Sequence, residues 1–305
     1  MLSICIPSYN FDLSRLINEL VNQVEFLDTP CEIIVIDDAS DIEYRQKLNS
    51  LDKIQFLQLD QNIGRSCIRN LFLKYAQYSH LLFLDADSLV TNKSFLQEYL
   101  HAIHQFPNAV ICGGRVYPQL KPTKNKVLSW KYGHKRESKT KTERSLLPYD
   151  SFMTNNFIVP KSILQVVQFD ERIKLYGHED TLFGLELKIK GIPIKHIDNS
   201  ILNGDIETNE NFIRKTEQGI QNLIEILRFK NFDNAFIQAV IILRKYQKLV
   251  LFSALLQIFY LGMKRLLINQ LKGNNPSIFL FNLYKLLLLN HNLRKMNLTH
   301  RMKRS

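Results

Sequence analysis

The run Leu81–Leu82–Phe83–Leu84–Asp85–Ala86–Asp87–Ser88 holds the residues best suited to chemistry in this chain. Four apolar residues end in two carboxylates separated by one small residue. A strand interior excludes unpaired charge, so Asp85 and Asp87 are expected at the strand's C-terminal edge, facing a cleft. Carboxylates held that close repel each other unless positive charge lies between them. A hard divalent cation that also meets phosphate oxygens would supply that charge. A polar turn fits the same letters, because Asp and Ser are ordinary turn residues.

The elements that must position these acids can be read from periodicity. Leu2–Ser3–Ile4–Cys5–Ile6 is a short apolar run stopped by Pro7, and Ile33–Ile34–Val35–Ile36 is a β-branched run that also ends in carboxylates, Asp37 and Asp38. Ile54, Phe56, Leu57 and Leu59 suggest a third strand, and Leu81–Leu84 a fourth. Between them, Leu13, Leu16, Ile17, Leu20, Val21, Val24 and Leu27 recur at helical spacing, with Asp12 as a cap. A short polar helix is expected over about 41–50, and another from near Arg65. Strand–helix alternation with near-continuous apolar strands predicts an α/β fold with a mostly parallel sheet flanked by helices. In such sheets ligands gather at the carboxyl ends of the strands, where Pro7–Asn10, Asp37–Asp38 and Asp85–Asp87 all fall.

The composition sets limits. Of 305 residues, 45% are hydrophobic and 23% charged, which is globular rather than disordered, and the net charge of +11 points to an anionic partner. Cys5, Cys31, Cys67 and Cys112 are scattered without a C-x-x-C pair, so neither a disulfide frame nor a zinc site is expected. No secretory leader is recognisable at the first residues, and no clean apolar run of membrane-spanning length is expected.

Farther along, Ala109–Gly114 reads as a strand with a Gly-Gly break. Residues 121–144 carry nine Lys and Arg against Glu137 and Glu143 and show poor periodicity. They are expected to form a mobile basic loop, with Trp130 and Tyr132 as anchors; a solvated loop without a ligand is the alternative. Asn155–Asn156 precede a short strand, Phe157–Ile158–Val159. A polar stretch, Phe169 to Asp180, leads into a helix that Gly191 should stop. From about 211 onward the chain reads as helices only, with basic last residues expected to fray. The expected division is residues 1–205 and a helical C-terminal region, 206–305.

Five segments, SICIPSYN, EIIVIDDAS, QNIGRSCIRN, LLFLDADS and YGHEDTLFGLELKIKG, occur in that order over roughly residues 1–205. Together they resemble the inverting nucleotide-sugar transferases of glycosyltransferase family 2, which have the GT-A fold. The resemblance implies that Asp87 is a metal ligand, with Asp85 beside it touching the ribose, the sugar or the metal's water. The cation would be Mn²⁺ or Mg²⁺, neutralising the leaving diphosphate. It implies that Asp38 reads the nucleobase, where accepting an imide N–H would favour a uracil donor; a helix cap is the alternative. Pro7, Ser8 and Tyr9 would wall the base pocket, while Asn62, Gly64, Arg65 and Arg69 match the third motif and Ala86 lies between the paired acids. Arg65 suits the diphosphate; Arg69 equally fits an ion pair with Asp37 or Asp85. Asp180, beside Glu179, matches the general base that deprotonates the acceptor hydroxyl, with a helix N-cap pair as the alternative. Asn155, Asn156 and His178 are assigned to the acceptor side. Family members often carry a further histidine ligand where this sequence has Asn203, and His196 reads as a core or surface residue.

The function expected from all this is metal-dependent sugar transfer from a nucleotide-sugar, UDP-linked by the base argument, to a glycan or lipid-linked acceptor in cell-surface polysaccharide or lipopolysaccharide synthesis. A sugar nucleotidyltransferase is a rival, although the Gly-rich loop it would need after the first strand is missing from PSYNFDLS. A nucleic-acid binder is a second rival, disfavoured because acids at three strand ends would repel phosphate. The C-terminal helices combine apolar faces with Lys264, Arg265, Lys285, Arg294 and Lys295. Two placements fit them: peripheral attachment of a cytoplasmic protein to the anionic inner face of the membrane, or a helical cap or homodimer interface.

Overall fold

The computed structural model describes the backbone of residues 1–49, 51 and 53–304 and the side chains within that range up to Met302. Ten strands are present among them: β1 Leu2–Ser8, β2 Cys31–Asp37, β3 Gln55–Gln58, β4 His80–Leu84, β5 Ser88–Leu89, β6 Val110–Cys112, β7 Arg115–Val116, β8 Asn156–Pro160, β9 Ile194–His196 and β10 Ile201–Asn203. The main sheet has the order β3-β2-β1-β4-β8-β6-β9, and a small sheet has the order β5-β10-β7. Strands β3, β2, β1 and β4 run parallel, so their carboxyl ends share one edge. Strand β8 is antiparallel to both neighbours, which brings its first residues to the carboxyl end of β4.

Alternation along the central strands explains why the sheet is covered on both faces. Leu2, Ile4 and Ile6 of β1, Ile33 and Val35 of β2, and Leu82 and Leu84 of β4 pack into one core layer. Cys5, Ile34, Ile36, Leu81 and Phe83 face the other layer, where Phe83 stacks on Phe157 and Phe169 stacks on Phe183. Such doubly buried strands have no polar face to spare, so the charged residues are displaced to the strand ends. The helices between the first strands are Ser14–Val24, Ile42–Asn49 and Arg65–Tyr75. Leu13, rather than Asp12, sits at the first helix's N-cap; Asp12 instead accepts from Ser14 N at 3.0 Å and pairs with Lys47 at 2.8 Å. Residue 50, the expected end of the second helix, lies outside the described residues.

The chain divides into two compact units. A sheet unit comprises Met1–Pro118, Glu137–Lys174 and Leu182–Asp205. A helical unit comprises Gln119–Arg136, Leu175–Thr181 and the chain from Ile206 onward.

Three expectations are corrected. The basic stretch 121–144 is ordered into short helices, Val127–Tyr132, a π-helical turn Gly133–Glu137, and Lys141–Leu146. At five or six residues each they are too short for periodicity to register, and local devices hold them. Asn209 accepts from Leu128 N at 2.8 Å, and Thr140 and Glu143 form a reciprocal capping box. Tyr132 is an anchor, but for the fold: its ring meets Phe212 and Phe281 within the helical unit. The basic C-terminus, expected to fray, forms a helical turn, Thr299–Arg304, with Met302 buried. Finally, the 32-residue run Ile241–Lys272 is long and apolar enough to cross a membrane by length and composition alone. It comprises the helix Ile241–Leu249, a 3₁₀ turn Val250–Phe252 and the helix Ser253–Lys272.

Candidate active site

The carboxyl edge of the parallel strands holds Asp37 and Asp38 after β2 and Asp85 and Asp87 after β4. At the end of β2, both carboxylates are bound by protein groups. Asp37 is fully buried, accepts from Ser40 N at 3.0 Å and from the Ser40 hydroxyl, and lies 3.5 Å from Arg45. Asp38 accepts from Ile63 N at 2.7 Å and Gly64 N at 3.1 Å, and Asn62 donates to its carbonyl at 3.1 Å. Asp38 therefore clamps the turn that starts the helix Arg65–Tyr75. Burial raises its pKa; the two amides oppose that and Asp37 adds to it. Gly64 has φ +84°, a conformation that side-chain-bearing residues rarely adopt, which fits a glycine at this turn. Pro7 is half-buried, Ser8 is buried, and Tyr9 is exposed beyond the strand end.

The end of β4 is a cluster of opposite charges. Arg69, buried at 2% exposure, reaches Asp85 at 3.0 Å and stands over the Phe169 ring. Of the two partners the sequence allowed for Arg69, the structure selects Asp85. The guanidinium of Arg115 contacts both oxygens of Asp87, at 3.0 and 2.9 Å, and comes within 3.9 Å of Glu137. Tyr117 donates to Glu137 at 2.6 Å. Burial raises the pKa of Asp87; Arg115 opposes it most, Asp85 and Asp205 add to it, and Arg65 opposes. Arg65 is exposed at the helix start, as expected of a phosphate contact, and Ala86 is half-buried.

The small sheet builds this cluster. Its registers pair Asn203 with Ser88 and Ile201 with Arg115. Gly204 N donates to the Asp87 carbonyl at 2.8 Å, and a Cβ on Gly204 would stand 2.8 Å from that same oxygen, so glycine permits the approach. Asn203 thus lies next to the paired acids in the ladder, where its Oδ1 accepts from Asp205 N at 3.1 Å. The second-ring residues Arg115, Glu137, Tyr117 and Asp205 were not singled out from the sequence. The signals were present, Gly113–Gly114–Arg115 after a strand and an acid two residues past Asn203, but only strand pairing shows that they meet.

Asn155 and Asn156 separate in role. Asn156 is buried and corrects its acceptor-side assignment: its Nδ2 donates to the carbonyls of Gly114 and Asn199, both at 2.9 Å, and its Oδ1 accepts from Tyr99 at 2.6 Å. Every hydrogen-bonding atom of its carboxamide is used inside the fold, tying β8 to a helix and two loops. Asn155 accepts from Asp85 N at 3.1 Å through its carbonyl, while its buried Nδ2 has no hydrogen-bond partner among the described residues. The hydroxyls of Ser8, Ser66 and Ser88 are in the same condition. Orphaned polar atoms of this kind are rare in a finished core and common where a ligand completes the bonding.

His196 is a core residue. Its Nδ1 meets Arg144 at 3.0 Å and its Nε2 meets the Pro148 carbonyl at 3.0 Å. Only a neutral ring with Nε2 protonated satisfies both, and burial, with Arg144 adding, pushes the pKa down to about 4.

Within the helical unit, Gly177 and His178 both adopt positive φ, +92° and +70°, and lead into the first turn of the helix Glu179–Ile189, where Asp180 follows Glu179. Asn222, on the helix Asn209–Phe229, fixes this turn by donating to the carbonyls of Leu175 at 3.3 Å and of Gly177. Glu179 is buried, and Asp180 accepts from Thr181 N at 2.6 Å. Desolvation pushes His178 down to about 4, opposed by Glu179 and aided by Lys285. A neutral half-buried imidazole beside two acids at a helix start is an arrangement that can accept or relay a proton.

The donor set at Asp85 and Asp87 fits a hard cation in one way only. Among the described residues no three His, Cys, Asp or Glu side chains converge as a ligand set. Each carboxylate keeps lone pairs beyond those its arginine takes, so one or two protein oxygens are on offer, with phosphate and water needed for the rest.

The sheet, its flanking helices and the acids at its carboxyl edge define a GT-A glycosyltransferase fold. Over 97% of its length the chain superposes on 86% of the mannosyltransferase PcManGT from Pyrobaculum calidifontis in complex with GDP-Man and Mn²⁺, with a TM-score of 0.53 and 14% identity. It superposes equally on 91% of S. aureus TarS 1–349 in complex with UDP, with a TM-score of 0.50 and 18% identity. The glycosyl transferase family 2 model matches residues 3–162, and the chain belongs to that family. Chondroitin synthase from Escherichia coli is 25% identical over 236 residues, which are 66% of this chain and 34% of the synthase, so the chain spans about a third of that relative's length.

Proposed function

We propose that the chain transfers a sugar from a UDP-sugar to a hydroxyl of a glycan or lipid-linked acceptor, with inversion, in the assembly of a cell-surface polysaccharide. The observation that carries this reading is the meeting of Asp85, Asp87 and Asp205 with Arg65, Arg69 and Arg115 at the carboxyl edge of a family 2 sheet. Its support from other proteins is that TarS is solved with UDP and that the chondroitin synthase name denotes a glycan product.

Each residue has a task that its surroundings allow. Pro7, Ser8 and Tyr9 flank the base, and Asp38, through its grip on residues 63 and 64, sets the shape of that pocket and offers its remaining lone pairs to an imide N–H. Arg65, exposed at a helix start, takes phosphate oxygens. Asn155 offers its spare N–H to donor or acceptor. Asp87, with Asp85, holds a divalent cation, Mn²⁺ or Mg²⁺, which when bound neutralises the charge of the departing diphosphate. Arg69 and Arg115 hold these acids in place beforehand. Asp180 takes the proton of the acceptor hydroxyl as that oxygen attacks, and Glu179 and His178 tune and flank it. Residues 206–305 form an appendage to the transferase region, and the protein works in the cytoplasm.

The deciding experiment is a thermal-shift panel of UDP-, GDP- and other nucleotide sugars with and without Mn²⁺. A Tm rise with UDP-sugars that grows with Mn²⁺, and a loss of that Mn²⁺ increment in Asp87→Ala, is the expected result. A metal-insensitive response, unchanged in Asp87→Ala, would remove the metal from the reading.

A further inference from the structure

Residues 234–305 hold twelve of the 40 Lys and Arg side chains and none of the 29 Asp and Glu. The other 233 residues therefore carry 28 basic against 29 acidic side chains, a net of −1, so the whole excess of positive charge belongs to the last 72 residues.

The same stretch carries an uncovered apolar face. On the helix Ser253–Lys272, Ser253, Tyr260, Leu267 and Leu271 form the buried stripe. The opposite side presents Leu255, Ile258, Phe259, Gly262 and Leu266 at spacings of three, four and seven residues, and Leu251 and Phe252 extend it through the preceding turn. These large side chains are 48–77% exposed. Isolated exposed apolar residues are ordinary; a stripe of them along about four turns is not. The preceding helix Ile241–Leu249 turns Arg244, Lys245 and Lys248 outward, and Arg265 borders the apolar stripe.

We propose that this face docks on an anionic lipid bilayer, with the apolar stripe in the headgroup–acyl boundary and the basic side chains against lipid phosphates. The occupant follows from charge. A second copy of the same acid-free surface would bring cation against cation, and a neutral apolar partner would leave the one-signed charge unused. Crossing the membrane is disfavoured by the same residues. Lys264 and Arg265 sit in the middle of the helix, the 3₁₀ turn breaks the run, and the buried side is tied to the helix Ile278–Lys295 by Ser253–Asn290 and Gln257–His291 hydrogen bonds of 2.7 and 3.0 Å. The inference stands apart from the catalytic reading and survives its failure.

The test is flotation of the full chain with vesicles of phosphatidylcholine, alone or with about 30% phosphatidylglycerol. Binding to the mixed vesicles, weakened by salt and much lower on neutral ones, is expected. The triple variant Lys245→Gln, Lys248→Gln, Arg265→Gln should lose about a hundredfold in partitioning, at roughly fivefold per charge. Ile258→Glu with Leu266→Glu should abolish binding while leaving the Tm of the free protein at the wild-type level, which separates loss of docking from loss of fold. The proposal is overturned by failure to bind anionic vesicles, by indifference to both variants, by resistance to alkaline extraction as a spanning segment would show, or by a concentration-dependent dimer that Ile258→Glu dissociates while vesicle binding persists.

Discussion

The sheet unit and the C-terminal helices treat charge in opposite ways. In the sheet unit acids face arginines at close range, Asp85 with Arg69, Asp87 with Arg115 and Asp37 with Arg45. Residues 234–305 contain no acid of their own, and Lys272 reaches outside the stretch to meet one, Glu210 at 2.6 Å. Charges taken partly out of water persist only in compensated clusters, and such clusters have fixed geometry. One-signed charge left in water has no fixed geometry and acts at the range of the Debye length. The first arrangement can orient a reacting molecule; the second can only attract a surface.

The comparison can be attacked where it is least tidy, because Asp180 lies in a segment, 175–181, that clusters with the helical unit. Asp180→Asn should lower kcat by about a hundredfold or more while calorimetric nucleotide binding stays at the wild-type level. Normal turnover would take the base out of that segment and leave the helical unit without chemistry. Next in size is Arg69→Met, which strands Asp85 beside a buried site and should cost about 3–5 kcal/mol in urea unfolding. A variant as stable as the parent would show that pairing in the sheet unit is not structural.

A pH series sharpens the same point with a smaller effect. His196 titrates near 4 when folded against 6.5 ordinarily, so the unfolded chain binds the extra proton first as pH falls. The stabilisation it gives is complete above about 6.5 and fades as pH drops toward 4, by about 3 kcal/mol, since protonation would set a cation against Arg144. His196→Gln should flatten that decline in Tm; an unchanged slope would assign it elsewhere. Smallest of all, Arg265→Gln should move unfolding stability by no more than about 0.5 kcal/mol, as expected of an exposed side chain without a partner that it must neutralise.

Much of the sheet unit was legible because doubly buried strands leave a loud signal: continuous apolar runs that stop at carboxylates. Strand order, and with it the antiparallel β8, was not, since pairing is non-local. The site shows the same division. Asp85, Asp87 and Arg65 stood out as letters, whereas Arg115, Glu137 and Asp205 become neighbours only through the small sheet, whose strands β5 and β7 are two residues long. Asn156 was misassigned because a carboxamide buried within the fold and a substrate-binding one look alike in sequence. Short capped helices at 127–146 were read as a loop for want of length.

The acid-free stretch has a consequence at the bench. Lys and Arg keep their protons to about pH 10, so raising the buffer pH within the usual range will not discharge it. A lysate offers it RNA in excess, and nucleic acid will adhere to it electrostatically and without sequence preference, raising absorbance at the wavelength used to follow nucleotides. Preparations should be stripped with high salt before any uridine ligand is titrated, or the contaminant will be counted as substrate.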